Sequence, residues 1–139
     1  MKRIHLSLLA ILLISLLAAC APQQTVLTGD EQAAVLAFSE AKTDTLLNGM
    51  NAGDYAAFSQ DFDQDMLNAM TQAEFDKLKQ DRDDKLGLYV SRTVNSVVSD
   101  GDFYAVIYDA VFEKDDAVSM RVVFRADEPH QISGLWFNK

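Results

Sequence analysis

Residues 88–112 read LYVSRTVNSVVSDGDFYAVIYDAVF, and this stretch decides the fold. Two runs rich in β-branched and aromatic residues, LYVSRTVNSVV and FYAVIYDAVF, flank Asp100-Gly101. Glycine accepts the positive φ of a tight turn, so an Asp-Gly pair between two such runs predicts a β-hairpin. On the second run Tyr104 and Phe112 share one face, and Phe103 and Val111 share the other. A strand that is apolar on both faces needs cover on both. One face is expected to meet helices, and the other a ligand, a second subunit or another part of the fold.

Downstream, Lys114-Asp115-Asp116 turns the chain into AVSMRVVFRA, where Val118, Met120, Val122 and Phe124 alternate with Ser119, Arg121, Val123 and Arg125. The DEPHQ turn leads to a last strand, ISGLWFN, whose Trp136 and Phe137 point opposite ways. Upstream the period changes. Thr28-Gly29-Asp30-Glu31 has the capping-box spacing and opens a helix toward Met50, with Val35, Phe38, Ala41, Thr45, Leu46 and Gly49 on one face. Gly53 is its expected stop, and Asp54 the N-cap of DYAAFSQDF, with Tyr55, Phe58 and Phe62 as a second stripe. Thr71 and Glu74 repeat the capping box, and Gly87 ends that helix. Helices first and strands after predict an α+β domain, its helices packed on a curved four-stranded antiparallel sheet.

The N-terminus carries an address. Lys2 and Arg3 precede an apolar segment from Leu6 to Leu17, too short for the roughly twenty residues a spanning helix needs. Leu17-Ala18-Ala19-Cys20 follows, and Cys20 is the chain's single cysteine. These four residues resemble the lipobox of bacterial lipoproteins. The resemblance implies cleavage of residues 1–19, a diacylglyceryl group on the Cys20 thiol, and an acyl chain such as palmitate on the new N-terminus. Two or three acyl chains, at ~0.8 kcal/mol per buried methylene, hold a protein durably at a membrane. Ala21, rather than aspartate, follows the cysteine, which by the same resemblance favours the outer membrane of a two-membrane envelope. In a one-membrane organism the address is the outer face of the plasma membrane. Residues 20–29 then read as lipidated Cys20 and tether, and residues 30–139 as one domain.

The whole chain has 21 acidic and 12 basic residues, a net charge of −9; losing Lys2 and Arg3 with the signal takes it to −11. Such a chain repels nucleic acid, and a nucleic-acid role is set aside. With Cys20 lipidated there is no thiol for a disulfide, a nucleophile or a metal.

The element order brings a second resemblance, carried by NAGDYAAFSQDF, GDFYAVIYDAVFEK and ISGLWF. A long helix, a Gly-Asp-Tyr break, shorter helices and a meander resemble the nuclear transport factor 2-like, or cystatin-like, cone. They are most similar to its small uncharacterised domains in exported bacterial proteins. The resemblance implies three possibilities: a binding domain, a homodimer through the outer sheet face, or an isomerase- or hydrolase-like enzyme working inside the cone.

Such an enzyme needs a carboxylate or histidine tuned by burial. Asp109 is the candidate general base, because a buried carboxylate in VIYDAVF would have a raised pKa. Tyr108 beside it points to the other face, so the two cannot act together. The weightier reading places Asp109 on the outer face, paired with Arg121 or Arg125. Tyr104 is a second catalytic candidate, and Tyr55, Tyr89, Tyr104, Phe112 and Trp136 are the cavity-lining candidates. His130, in the DEPHQ turn, is expected to be solvated. Asp61, Asp63 and Asp65 imitate the start of a calcium loop, but Met66 and Gln72 stand where glycine and glutamate are needed. No metal and no cofactor are expected. The leading expectation is a non-enzymatic, lipid-anchored envelope domain that binds a protein, a peptide or a small apolar molecule.

Overall fold

The structure, a computed structural model, describes residues 23–139, so the signal segment and Cys20 lie outside the described residues. In chain order the elements are β1 (Thr25–Leu27), α1 (Gly29–Ala52), α2 (Tyr55–Phe58), α3 (Gln64–Ala69) and α4 (Gln72–Lys85). Then come β2 (Tyr89–Asp100), β3 (Phe103–Phe112), β4 (Asp115–Arg125) and β5 (Ile132–Asn138). The expected α+β arrangement is present, with one change. The sheet has five strands, in the antiparallel order β1-β2-β3-β4-β5. The added strand lies in the expected tether: Thr25, Val26 and Leu27 pair with Ser99, Val98 and Val97.

The helix boundaries follow local chemistry. Gly53 closes α1 at φ 70°, its left-handed conformation costing a glycine little. Asp54 accepts the Ala57 amide to start α2, Asp63 accepts the Met66 amide to start α3, and Thr71 accepts the Glu74 amide to start α4. Thr28 does precede α1, but its side chain makes no capping hydrogen bond. The second stripe is split too: α2 ends at Phe58, and Phe62 reaches the core from the loop beyond.

The core lies between α1 and the inner sheet face. Tyr108, Val106, Ala110 and Phe112 of β3 and Val118, Met120, Val122 and Phe124 of β4 are buried there with Leu46, Leu47 and Met50 of α1. Each large side chain fully removed from water contributes about 1.5–3 kcal/mol. The buried face of α1 is not the expected one. It runs through Val35, Ser39, Thr43, Leu46, Leu47, Gly49 and Met50, while Ala41 is exposed and Thr45 half-buried. Gly49 is needed for packing rather than for φ, since a Cβ there would come within 2.9 Å of the Phe58 Cα.

Two β-bulges reorganise β2. Register shifts between Tyr89 and Ser91 and between Val94 and Ser96 each insert one residue. Each insertion flips the alternation of faces. Tyr89, Arg92, Val94 and Val97 therefore stand opposite Phe112, Ala110, Tyr108 and Val106, all on the inner face.

Candidate functional site

The inner face has two ends of different chemistry. At one, the bulged β2 brings Arg92 under α1, its side chain only 7% exposed. Nη1 donates to Asp44 Oδ1 at 2.7 Å and to the Tyr89 hydroxyl at 3.1 Å. Nη2 donates to Glu40 Oε2 at 3.1 Å, and the guanidinium carbon lies 5.0 Å from the centre of the Tyr108 ring. The Tyr108 hydroxyl donates to Glu40 Oε1 at 2.6 Å and lies 3.3 Å from Thr43 Oγ1. Burial works against the Arg92 charge, but Asp44, Tyr89 and Glu40 outweigh it and hold its pKa above the ordinary arginine value. Burial first, and the bond to Glu40 second, push the Tyr108 phenol above its ordinary value. Apart from Arg92 Nε, which is buried without a partner, these groups are occupied with one another, so this end fastens α1 to the sheet.

The other end is open. A groove of about 760 Å³ runs between the first half of α1, the β1–β2 edge and the β4–β5 turn. Phe38, Tyr104 and His130 line it, with Leu27 and Pro129 along the walls and Glu31 and Lys42 among its charged groups. The His130 and Phe38 rings stack with centres 3.9 Å apart and planes 14° from parallel. The Tyr104 ring centre is 6.3 Å from that of Phe38. His130 Nδ1 lies 3.1 Å from the Arg125 carbonyl oxygen, and Nε2 lies 3.3 Å from Glu128 Oε1. His130 also has φ 57°, which is uncommon for a residue with a Cβ. The expectation of a solvated turn histidine is thus corrected: its side chain is 16% exposed and packed on an aromatic ring. The pocket's size falls within the range of small-molecule sites, and its aromatic and aliphatic lining is interrupted by Glu31, Lys42, Ser99 and Glu128.

The residues expected to line one cavity do not converge. Tyr104 alone of them lines the groove. Phe112 is buried in the core at 2% exposure, stacked edge-on against Tyr89 and Phe137. Tyr89 is committed to Arg92, and the Tyr55 hydroxyl donates to the Met70 carbonyl at 2.8 Å. Trp136 is on the outer face, 49% exposed. Asp109 is on the outer face as well, exposed, with both carboxylate oxygens accepting from Asn95 Nδ2 at 3.3 and 3.1 Å. Its expected partners, Arg121 and Arg125, are not engaged with it: Arg125 pairs with Asp127 instead. A carboxylate in water lacks the burial that was to make it a base, and Tyr108 faces away from it into the core.

Two of the three aspartates of the calcium-like run are spent separately, and Asp65 has no partner among the described residues. Asp61 pairs with Lys42 at 2.5 Å, and Asp63 caps α3 while accepting from Ser133 Oγ. What sequence reasoning missed is the Glu40–Arg92–Tyr108 cluster, hidden by the bulges, and the place of His130 beside Phe38. The Phe38 position was visible, as a member of the helical stripe.

Comparison with known proteins adds family and little else. A family profile described as "Protein of unknown function (DUF3887)" matches residues 44–135. No curated protein matches the chain. Among solved structures, an NTF2-like protein of unknown function from Cytophaga hutchinsonii is similar at 13% identity, over 72% of this chain and 89% of that one. Its TM-score is 0.37, and no inference rests on it.

Proposed function

This chain belongs to the DUF3887 family of proteins of unknown function, and from that premise we propose that it is a lipid-anchored accessory domain of the cell envelope. In this reading residues 1–19 are removed, Cys20 carries the lipid, and a nuclear transport factor 2-like cone offers its open end to a small apolar ligand or an apolar peptide side chain. The observation that carries the binding role is the groove between Phe38, Tyr104 and His130, whose aromatic walls are left unfilled by the described residues. Leu17-Ala18-Ala19-Cys20 carries the anchor. Among the described residues no helix is long and apolar enough to cross a membrane.

The anchor is tested by intact-mass measurement of chain recovered from bacterial membranes. The expected mass lacks residues 1–19 and carries acyl groups, and Cys20→Ser appears uncleaved and unacylated. An unmodified mass for the wild-type chain would remove the anchor from the reading. The groove is tested with the neutral apolar fluorophore N-phenyl-1-naphthylamine. Saturable emission that Phe38→Ala and Tyr104→Ala each lower, with the thermal melt otherwise cooperative, supports the groove. Undiminished emission in both variants overturns it.

A further inference from the structure

The outer sheet face carries a feature that the groove does not explain. Trp136 stands opposite Arg121 on the neighbouring strand, and Gly134 precedes it by two residues on the same face. A Cβ at Gly134 would run into Cη2 and Cζ3 of the indole. The ring is therefore folded down along its own strand over the bare glycine, with about half its surface, 49%, left to solvent. It forms one side of a depression of about 310 Å³ that also holds Phe103, Arg121, Arg125, Asp65, Asp100 and the buried Asp63, whose carboxylate is taken by Ser133 and the Met66 amide.

The rim is mixed in sign. Arg121 makes no ion pair or hydrogen bond among the described residues; its Nε is buried without a partner, and its guanidinium carbon lies 6.0 Å from the indole centre. Asp65 likewise has no partner among the described residues, whereas Asp100 accepts from Gln24 and Arg125 bonds Asp127. An anionic ligand would meet three carboxylates, Asp63, Asp65 and Asp100, on a chain of net charge −9, and a cationic one would meet two guanidiniums, one of them the unpaired Arg121. A flat apolar protein surface would have to strip water from Asp65, Asp100, Arg121 and Arg125 to reach the indole. The remaining chemistry is a small neutral ligand with one apolar face and a girdle of hydroxyls that both donate and accept.

We propose that this depression is a saccharide-binding site, in which one hexopyranose stacks the C–H face of its ring on Trp136 and hydrogen-bonds Arg121 and Asp65. The site is separate from the apolar groove and independent of the anchor.

Trp136 is the chain's single tryptophan, so its emission reports on this site alone. The test uses the full chain in a sugar-free detergent, titrated with maltotriose and with tri-N-acetylglucosamine. A saturable emission change with one of them is expected, with a dissociation constant in the millimolar range. Arg121→Ala should weaken it about tenfold, close to 1.4 kcal/mol. Trp136→Ala, followed by calorimetry, should abolish it, with circular dichroism showing that the fold is kept. No saturable change with either sugar overturns the proposal, as does binding that survives in Trp136→Ala. Emission that shifts only with protein concentration also overturns it and assigns the face to a second copy of the chain. Should Trp136→Ala fail to fold, the Arg121→Ala titration decides.

Discussion

The two ends of the inner face use charge and ring in opposite ways. Around Arg92 all but one functional group, the buried Nε, is consumed by a neighbour: Asp44, Glu40 and Tyr89 take the two Nη groups, and Thr43 and Glu40 take the Tyr108 hydroxyl. Around Phe38 the rings touch one another yet leave a groove of about 760 Å³. The difference teaches that polar residues in the interior are not by themselves a sign of chemistry. A satisfied buried network holds elements in register, and a site needs something left over.

The comparison is most exposed to failure at Arg92. Arg92→Ala removes a buried cation, its stem packing and three hydrogen-bond partners, and should cost about 2–3 kcal/mol in urea unfolding. The value stays below that of a fully buried pair because the Glu40 and Asp44 side chains are 41% and 61% exposed and keep water. Tyr108→Phe should cost about 1–2 kcal/mol, since it strands the Thr43 hydroxyl and leaves Glu40 Oε1 without its donor, while Oε2 keeps Arg92. It also carries a pH signature. The folded-state pKa of Tyr108 is raised, so its contribution is complete below the ordinary phenol value of 10.0. Above that pH the unfolded chain loses the proton while the folded chain keeps it. Stability then falls by up to about 1.4 kcal/mol per pH unit until the folded phenol ionises. Alkaline unfolding curves should be shallower in Tyr108→Phe by that one proton.

At the open end the expected cost is smaller. Phe38 is half-buried, so Phe38→Ala should lower stability by about 1 kcal/mol, although it removes the stacking partner of His130. If it matched Arg92→Ala, the open end would be bearing the fold and the contrast would collapse. The least effect is expected at Asp109. Asp109→Ala loses an exposed, forked contact with the Asn95 amide and should stay within about 0.5 kcal/mol by the same urea measurement.

Much of the fold was legible because its signals are local. The Asp100-Gly101 hairpin, the Gly53 stop, and the Asp54 and Thr71 caps depend on a few adjacent residues, and each appears where the sequence puts it. The misses have a common physical origin in the third dimension. Ser39 and Thr43 are polar yet buried, so an apolar periodicity drew the face of α1 through Ala41 and Thr45 instead. The bulges in β2 break the period of two, and no residue there announces that Arg92 and Val97 share a face. Thr25–Leu27 is too short for a pattern and forms a strand because β2 offers an edge. Of the site, only the Phe38 stripe and Tyr104 could be read. His130 meets Phe38 through a turn whose path depends on the whole meander.

That short edge strand also has a mechanical consequence. Leu27 pairs with Val97 and at the same time walls the aromatic groove. Among the described residues, tension applied ahead of Thr25 is therefore borne first by the Gln24–Asp100 hydrogen bond and these three residue pairs, before any helix. If that seam yields, the groove loses its Leu27 wall while the four longer strands stay zipped. The strand Thr25–Leu27 is in this sense a seam shared by the sheet edge and the groove.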